Sequence, residues 1–277
     1  MTRTLLIRGL LAGLIAGVCG FAVAKALGET QVDKAIAFEE YVSTIGAPAV
    51  GAHEHSEALV SRTLQSSAGL GTGALIYGIA LGGIFALAFA AVYGRGGGSF
   101  NSVKPTAAVL GLLGFVAIYL VPVLKYPPNP PSIGNADTIG RRSSLFLGMI
   151  LCSVVAMVAS GLWWRRLIER VSRWNATLIA AGTYIVTMII VFIVLPGIDE
   201  VPQLAIPGIV AAAADGTVTF PPTILWRFRI ASLAIQVVLW AGIALAFGLL
   251  ASTVLERGAT RHPSDASDAS EKKSTAA

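Results

Sequence analysis

Two histidines and two glutamates lie within one short stretch, at His53, Glu54, His55 and Glu57. Imidazole nitrogen and carboxylate oxygen together suit divalent ions such as cobalt, nickel, zinc or manganese. In an extended segment His53, His55 and Glu57 project to one side, because side chains alternate along the chain. Since a structural zinc site uses four ligands, two histidines without a third fixed ligand predict a weak, exchangeable metal site. A solvated acidic loop that contains histidine is the alternative.

A proline-rich segment, Lys125–Pro131, directly follows an apolar run. Proline fixes φ and lacks an N–H, so this segment cannot continue a helix and its carbonyls have no helical partners. Irregular backbone of this kind is tolerated at membrane depth where it lines a polar cavity. Tyr126, Pro127, Pro128 and Asn129 are therefore candidates for a transport path. A rigid turn that sets the angle between two helices is the other interpretation.

Aromatic residues alternate with arginines over Trp226–Arg229, at the start of another apolar run. This pattern is typical of side chains that anchor a helix at the membrane interface. Arg227 or Arg229 is also a candidate gate residue, because either could pair with Asp199 or Glu200.

The elements that position these residues are long apolar runs. Of 277 residues, 55% are hydrophobic and only 13% are charged, whereas soluble proteins carry about 25% charged residues. The fold class predicted is an all-α polytopic integral membrane protein with about six transmembrane helices, in a transmembrane domain of residues 1–257. The predicted spans lie near 6–27, 72–94, 106–124, 144–164, 177–196 and 230–253.

The first apolar run, with Arg3 and Arg8 before it, is similar to a cleavable signal peptide. Against cleavage, Gly9, Gly13 and Gly17 recur at every fourth position. On a helix these glycines form one smooth face, where a neighbouring helix can approach closely. We therefore predict a retained helix.

The distribution of positive charge predicts the orientation. The segments 1–8, 95–105 and 165–176 and the C-terminal tail together hold more than half of the 20 Lys and Arg residues. Cytoplasmic loops are enriched in these residues, so both termini are expected in the cytoplasm and the protein in a bacterial inner membrane. Lys125, Arg141 and Arg142 oppose this orientation. The loops predicted on the outer side are 28–71, 125–143 and 197–229.

Two segments outside the spans carry further expectations. Leu204–Ala214 is apolar but too short to cross a bilayer, so we expect it to lie at the interface or to re-enter the membrane. Residues 258–277 are polar, small and free of aromatic residues, which predicts a disordered cytoplasmic tail.

The sequence also excludes several functions. It has no GxxxxGK[ST] phosphate loop, no HExxH and no GxSxG, so neither ATP hydrolysis nor another enzymatic activity is predicted. Cys19 and Cys152 make no zinc or disulfide pattern. We expect membrane lipid rather than nucleic acid around the chain, and no cofactor.

Several segments in this order resemble the CbtA family of proposed bacterial cobalt transporter subunits. They are Ala52–His55, Gln65–Gly73, Tyr77–Ala86, Lys125–Pro131 and Trp226–Ser232. The resemblance covers roughly residues 5–253. It implies cobalt uptake that supplies cobalamin synthesis, and a small single-span partner of the CbtB type.

Residues and resemblance together predict a membrane permease subunit for cobalt uptake, with cobalt as the transported substrate. In this hypothesis, His53, His55, Glu57 and Glu54 gather the ion on the outer side. Two alternatives stay open. One is a non-transporting membrane scaffold or metal-sensing subunit, and the other is a permease for another divalent metal such as nickel.

Overall fold

The structure is a computed structural model that describes residues 2–46, 61–94, 102–130, 139–198, 203–205 and 217–274. Within these residues, six helices are long and apolar enough to cross a membrane, as the sequence predicted. The fold class, an all-α polytopic membrane protein, is confirmed.

The first three spans are each built from α-helices joined through a π-helical turn. Backbone dihedrals on both sides of the first turn stay helical, so the helix runs on without a break. The first span comprises α1 (Thr2–Val23), the turn Ala24–Gly28 and α2 (Glu29–Gly46). The second comprises α3 (Arg62–Leu64), the turn Gln65–Gly69 and α4 (Leu70–Val92). The third comprises α5 (Val103–Phe115), the turn Val116–Leu120 and α6 (Val121–Lys125).

The last three spans are single helices: α7 (Ile139–Leu167), α8 (Arg173–Val194) and α9 (Pro222–Ser274). Ser172 caps α8, because its hydroxyl accepts a hydrogen bond from the backbone N–H of Asn175 at 3.3 Å. This satisfies one of the free N–H groups at the start of the helix. Between α8 and α9, strands β1 (Gln203–Ala205) and β2 (Thr217–Thr219) pair antiparallel.

One compact unit of the chain comprises residues 1–19, 74–112 and 239–277. In it, the glycine face of α1 packs directly on α4. A Cβ at Gly13 would lie 2.8 Å from the carbonyl carbon of Gly78, and one at Gly82 would lie 2.7 Å from the Cα of Gly13. Real side chains cannot come so close, so only glycine permits this contact. The close approach predicted from the spacing of Gly9, Gly13 and Gly17 is confirmed.

The second compact unit comprises residues 20–73 and 113–238. Here α2 packs on the start of α9, where Ala35 and Phe220 are buried. The rings of Phe38 and Phe220 meet edge to face, with centroids 5.1 Å apart. Helices α7 and α8 pack through a second buried cluster that includes Met149 and Tyr184. This unit contains the proline-rich segment and Arg229.

The helices extend beyond the predicted spans. The predicted outer loop 28–71 is shorter in the structure, because helix continues to Gly46 and begins again at Arg62. Extending a helix costs less than nucleating a new one, so a polar continuation rich in helix-forming residues prolongs the span. Helix α9 also continues, to Ser274, where a disordered tail from residue 258 was predicted. Most of the apolar patch Leu204–Ala214 lies outside the described residues.

Candidate functional site

The site begins where α6 ends. Tyr126, the residue after α6, has left the helical region with φ −126° and ψ 81°. A residue before proline is pushed out of the α-conformation by the proline ring, which accounts for the helix ending here. The backbone N–H of Tyr126 still donates to the carbonyl of Pro122 at 2.8 Å. Beyond it, residues 127–130 are extended and irregular, as the prolines predict.

Two side chains of this segment bind the end of α8. The ammonium group of Lys125 donates to the carbonyl oxygen of Phe192 at 2.8 Å. The hydroxyl of Tyr126 donates to the carbonyl oxygen of Pro196, also at 2.8 Å. Phe192 carries one of the last carbonyls of α8, which have no partner within the helix. A cation there also complements the negative end of the helix dipole.

The phenol of Tyr126 stays neutral. Burial raises its pKa above the usual value of 10.0, because desolvation disfavours the charged phenolate. At neutral pH the group is therefore a hydrogen-bond donor to Pro196. This fixes the start of the irregular segment against the residues that follow α8.

Arg229 of α9 holds the middle of the irregular segment. Its Nη2 donates to the side-chain oxygen of Asn129 at 3.2 Å, and its Nε makes a longer contact of 3.4 Å to the carbonyl oxygen of Pro128. Both acceptors are neutral. Arg229 is only partly exposed, so its charge is partly removed from water without a carboxylate partner in these contacts.

A cavity of about 730 Å³ lies between these groups, and we call it the proline cavity. Pro127 and Pro128 form part of its wall, with Phe146 among the apolar residues. Further apolar lining residues are Val123, Ile139, Gly197 and Ile198. The polar and charged side chains of the described lining are Tyr119, Lys125, Tyr126, Asn129, Arg142, Ser143 and Arg229. The cavity thus has both apolar and polar walls, is bounded by irregular backbone and is rich in positive charge.

The structure brings together five of the residues predicted for a path or gate, namely Tyr126, Pro127, Pro128, Asn129 and Arg229. Their role in transport stays a prediction. The sixth predicted residue, Arg227, is exposed and is not among the lining residues of the proline cavity. Its position fits an anchor at the membrane interface better than a gate.

The histidine segment with His53, Glu54, His55 and Glu57 lies outside the described residues. So do Asp199 and Glu200, the predicted partners of the arginines. Within the described part of the chain, no group of three or more His, Cys, Asp or Glu side chains is placed to hold a metal ion.

The prediction missed Arg142 as a residue of the site. A signal was present, because Lys125 and Arg142 opposed the orientation predicted from positive charge. Positive residues on the unexpected side of a membrane can have a local role that outweighs the orientation rule. Here both side chains line the proline cavity.

A second polar cluster connects the C-terminal part of the first span with the N-terminal part of the second. Arg62 forms ion pairs with Glu29 and with Asp33, the latter at 2.9 Å. Lys25 donates to the hydroxyl of Ser66 at 3.1 Å. Because the guanidinium of Arg62 occupies both carboxylates, this cluster is an ion-pair network rather than an open metal site.

One buried hydrogen bond lies between α7 and α8. The hydroxyls of Ser153 and Tyr184 are 2.8 Å apart, and both residues are buried. Met149 and Met188 lie in the same buried cluster as Tyr184, so their thioethers pack between helices. Hydrogen-bonded hydroxyls of this kind join helices inside a membrane.

Fold and site together define a multi-pass helical membrane protein with a positively charged cavity next to irregular backbone. Compared with known families, the chain matches the CbtA model, described as a probable cobalt transporter subunit, over residues 2–252. The chain belongs to this family. Comparisons with curated proteins and with solved structures gave no match.

Membership supports a role in cobalt transport. The word subunit in the family description implies a partner component.

Proposed function

We propose that this chain is the permease subunit of a cobalt uptake system in a bacterial inner membrane. Family membership and six apolar helices support a transport role. The concentration of Lys and Arg in segments 1–8, 95–105 and 165–176 supports cytoplasmic termini. Cobalt is the transported substrate, and its destination is cobalamin synthesis. No resident cofactor is part of the proposal.

The proposed mechanism is based on the contacts of Arg229 with Pro128 and Asn129 in the irregular segment. Oxygen atoms freed from helical hydrogen bonding are the ligands that a cation needs when it sheds water. In the structure, Arg229 contacts one such oxygen, the carbonyl of Pro128, and also the side-chain oxygen of Asn129. Displacing the guanidinium would free both oxygens for the ion. Arg229 therefore acts as a gate.

The histidine segment supplies the ion in this proposal. With the termini in the cytoplasm, His53, His55 and the glutamates Glu54 and Glu57 lie on the outer side. Donors of these types bind divalent metals, and a weak site raises the local concentration without retaining the ion. A single-span subunit of the CbtB type is the proposed partner.

Uptake of radioactive cobalt tests the function. A strain lacking this chain should accumulate little cobalt, and restoring the chain should restore accumulation. Vesicles that contain the purified chain, with and without the partner, separate a permease from a scaffold or sensor. If cobalt enters neither kind of vesicle while both bind the metal, the permease proposal is wrong. Competition by excess nickel measures the selectivity.

A further inference from the structure

The charge of the proline cavity is unexpected for a pathway that admits a bare cation. Lys125, Arg142 and Arg229 line it, and no Asp or Glu does so within the part of the chain that the structure describes. Asp199 and Glu200 lie outside that part. Like charges repel, and they repel more strongly in a partly desolvated cavity than in water. The described walls therefore disfavour Co²⁺ alone.

Within the part of the chain that the structure describes, Lys125 and Arg229 donate hydrogen bonds to neutral acceptors. Lys125 donates to the Phe192 carbonyl and lies 6.0 Å from the ring centroids of Tyr126 and Phe192. Arg229 donates to a carbonyl and to the amide oxygen of Asn129. A charge that is partly removed from water is normally compensated by an opposite charge. Among the described lining residues, no carboxylate offers that compensation to Lys125 or Arg229, so these two cations should attract an anion.

The size of the cavity indicates the kind of anion. Six waters around a metal ion occupy roughly 180 Å³, at about 30 Å³ each. The proline cavity is about 730 Å³, within the usual range for small organic ligands of roughly 300–1,000 Å³. Guanidinium groups such as that of Arg229 match the two oxygens of a carboxylate in geometry and charge. Val123 and Phe146 add apolar wall for the carbon skeleton.

We propose that the proline cavity binds a small organic anion bearing carboxylates, and that cobalt enters as the complex of such an anion. The proposal that cobalt enters as such a complex rests on the proposed transport function. The anion site itself does not, because it follows from the charge, neutral partners and size of the cavity.

This proposal explains how a positively charged gate can pass a cation. A carboxylate of the ligand offers Arg229 a charged acceptor, which is stronger than the neutral oxygens of Pro128 and Asn129. Once Arg229 turns to the carboxylate, those two oxygens become free for the metal. The anion and the metal thus occupy complementary parts of one cavity, and neither needs a buried unpaired charge.

Equilibrium binding of radiolabelled citrate to the purified full-length chain in lipid nanodiscs tests the site. We expect Arg229→Gln and, independently, Arg142→Gln to weaken citrate binding by about tenfold or more, as expected when a charged hydrogen-bond partner is removed. The control is Arg227→Gln, which removes the same charge two residues earlier on α9 but outside the cavity. It should bind citrate like the unaltered chain. Arg229→Lys keeps the charge but loses the two-point contact with a carboxylate, so its affinity should lie between those of Arg229→Gln and the unaltered chain.

Three results would overturn the anion site. They are no citrate binding at millimolar concentration, equal weakening by Arg227→Gln, and inorganic phosphate competing as well as citrate.

Uptake separates this inference from the proposed function. The complex of cobalt with citrate should enter cells carrying the chain several-fold faster than cobalt offered with a neutral amine chelator. If citrate binds but the strain lacking the chain accumulates cobalt normally, the transport function is wrong and the anion site stands. If uptake depends on the chain but citrate does not bind, the anion site is wrong and the transport function stands.

Discussion

Arg229 holds the side-chain oxygen of Asn129 at 3.2 Å, across 100 residues of sequence. Changing Asn129 to Asp would replace this neutral acceptor with a carboxylate of nearly the same shape. The resulting ion pair is partly shielded from water, so it should be stronger than the present hydrogen bond. We expect Asn129→Asp to hold the gate closed and to lower the initial rate of cobalt uptake several-fold.

The matched control is Asn175→Asp, which makes the same change in the exposed first turn of α8. A negative charge is favourable at the start of a helix, so this variant should fold and transport normally. Uptake by Asn129→Asp at the unaltered rate, with equal amounts of protein in the membrane, would show that Arg229 does not act as a gate.

The packing of α1 on α4 gives a prediction about stability. A Cβ at Gly13 would lie 2.8 Å from the carbonyl carbon of Gly78, so Gly13→Ala forces the two helices apart. Overpacking of this kind costs about 1–3 kcal/mol. We expect a clearly lower melting temperature for the purified protein in detergent, measured by intrinsic fluorescence.

Gly148→Ala is the control for this variant, because a Cβ at Gly148 would meet nothing within 4 Å. Since alanine favours a helix more than glycine does, Gly148→Ala should melt at the same temperature as the unaltered protein or higher. Equal melting temperatures for the two variants would contradict the close contact between α1 and α4.

Much of the fold could be predicted because its signals are local. A long uncharged apolar run predicts a span by itself, and Gly9, Gly13 and Gly17 predict a close helix contact from their spacing. The extension of the first span through Gly46 could not be predicted in this way. Hydropathy marks only the part of a helix that lies in lipid, and a polar continuation has no such signal.

The candidate site, like the fold, could be predicted only where the signal is local. Tyr126–Asn129 could be selected from the prolines, whose effect on the backbone is local. The contact between Arg229 and this segment could not be predicted, because it depends on how the start of α9 packs in the folded protein. The local sequence pattern does not show which of Arg227 and Arg229 is the better candidate for a gate residue. Burial separates them, since Arg229 lines the proline cavity and Arg227 is exposed.

The hydroxyl pair between α7 and α8 allows a direct energetic test. Tyr184→Phe removes the partner of the Ser153 hydroxyl, which lies 2.8 Å away. Hydrogen bonds between membrane helices contribute about 0.6 kcal/mol on average, because a lone hydroxyl finds another partner. We therefore expect a small loss in the free energy of unfolding, measured by denaturant titration in detergent.

A double-mutant cycle with Ser153→Ala isolates this hydrogen bond. The two single variants should each lose stability, and the double variant should lose less than their sum. Strictly additive losses would show that the two hydroxyls do not stabilise each other, despite their distance.

The histidine segment gives the last prediction. His53→Ala combined with His55→Ala removes both imidazoles, the donors best suited to a borderline divalent metal. If these side chains raise the metal concentration at the entrance, the loss should matter only when cobalt is scarce. We expect cobalt accumulation to fall several-fold at limiting external cobalt and little at saturation. In kinetic terms, KM should rise while the maximal rate stays nearly constant.

His262→Ala is the matched control, because it removes the third histidine of the chain from the C-terminal segment, which the proposal places in the cytoplasm. It should leave uptake unchanged at every cobalt concentration. A double variant that also takes up cobalt normally at all concentrations would exclude the gathering role. A lower maximal rate with unchanged KM would instead place the histidines in the translocation step, because saturating cobalt cannot compensate for a slower passage.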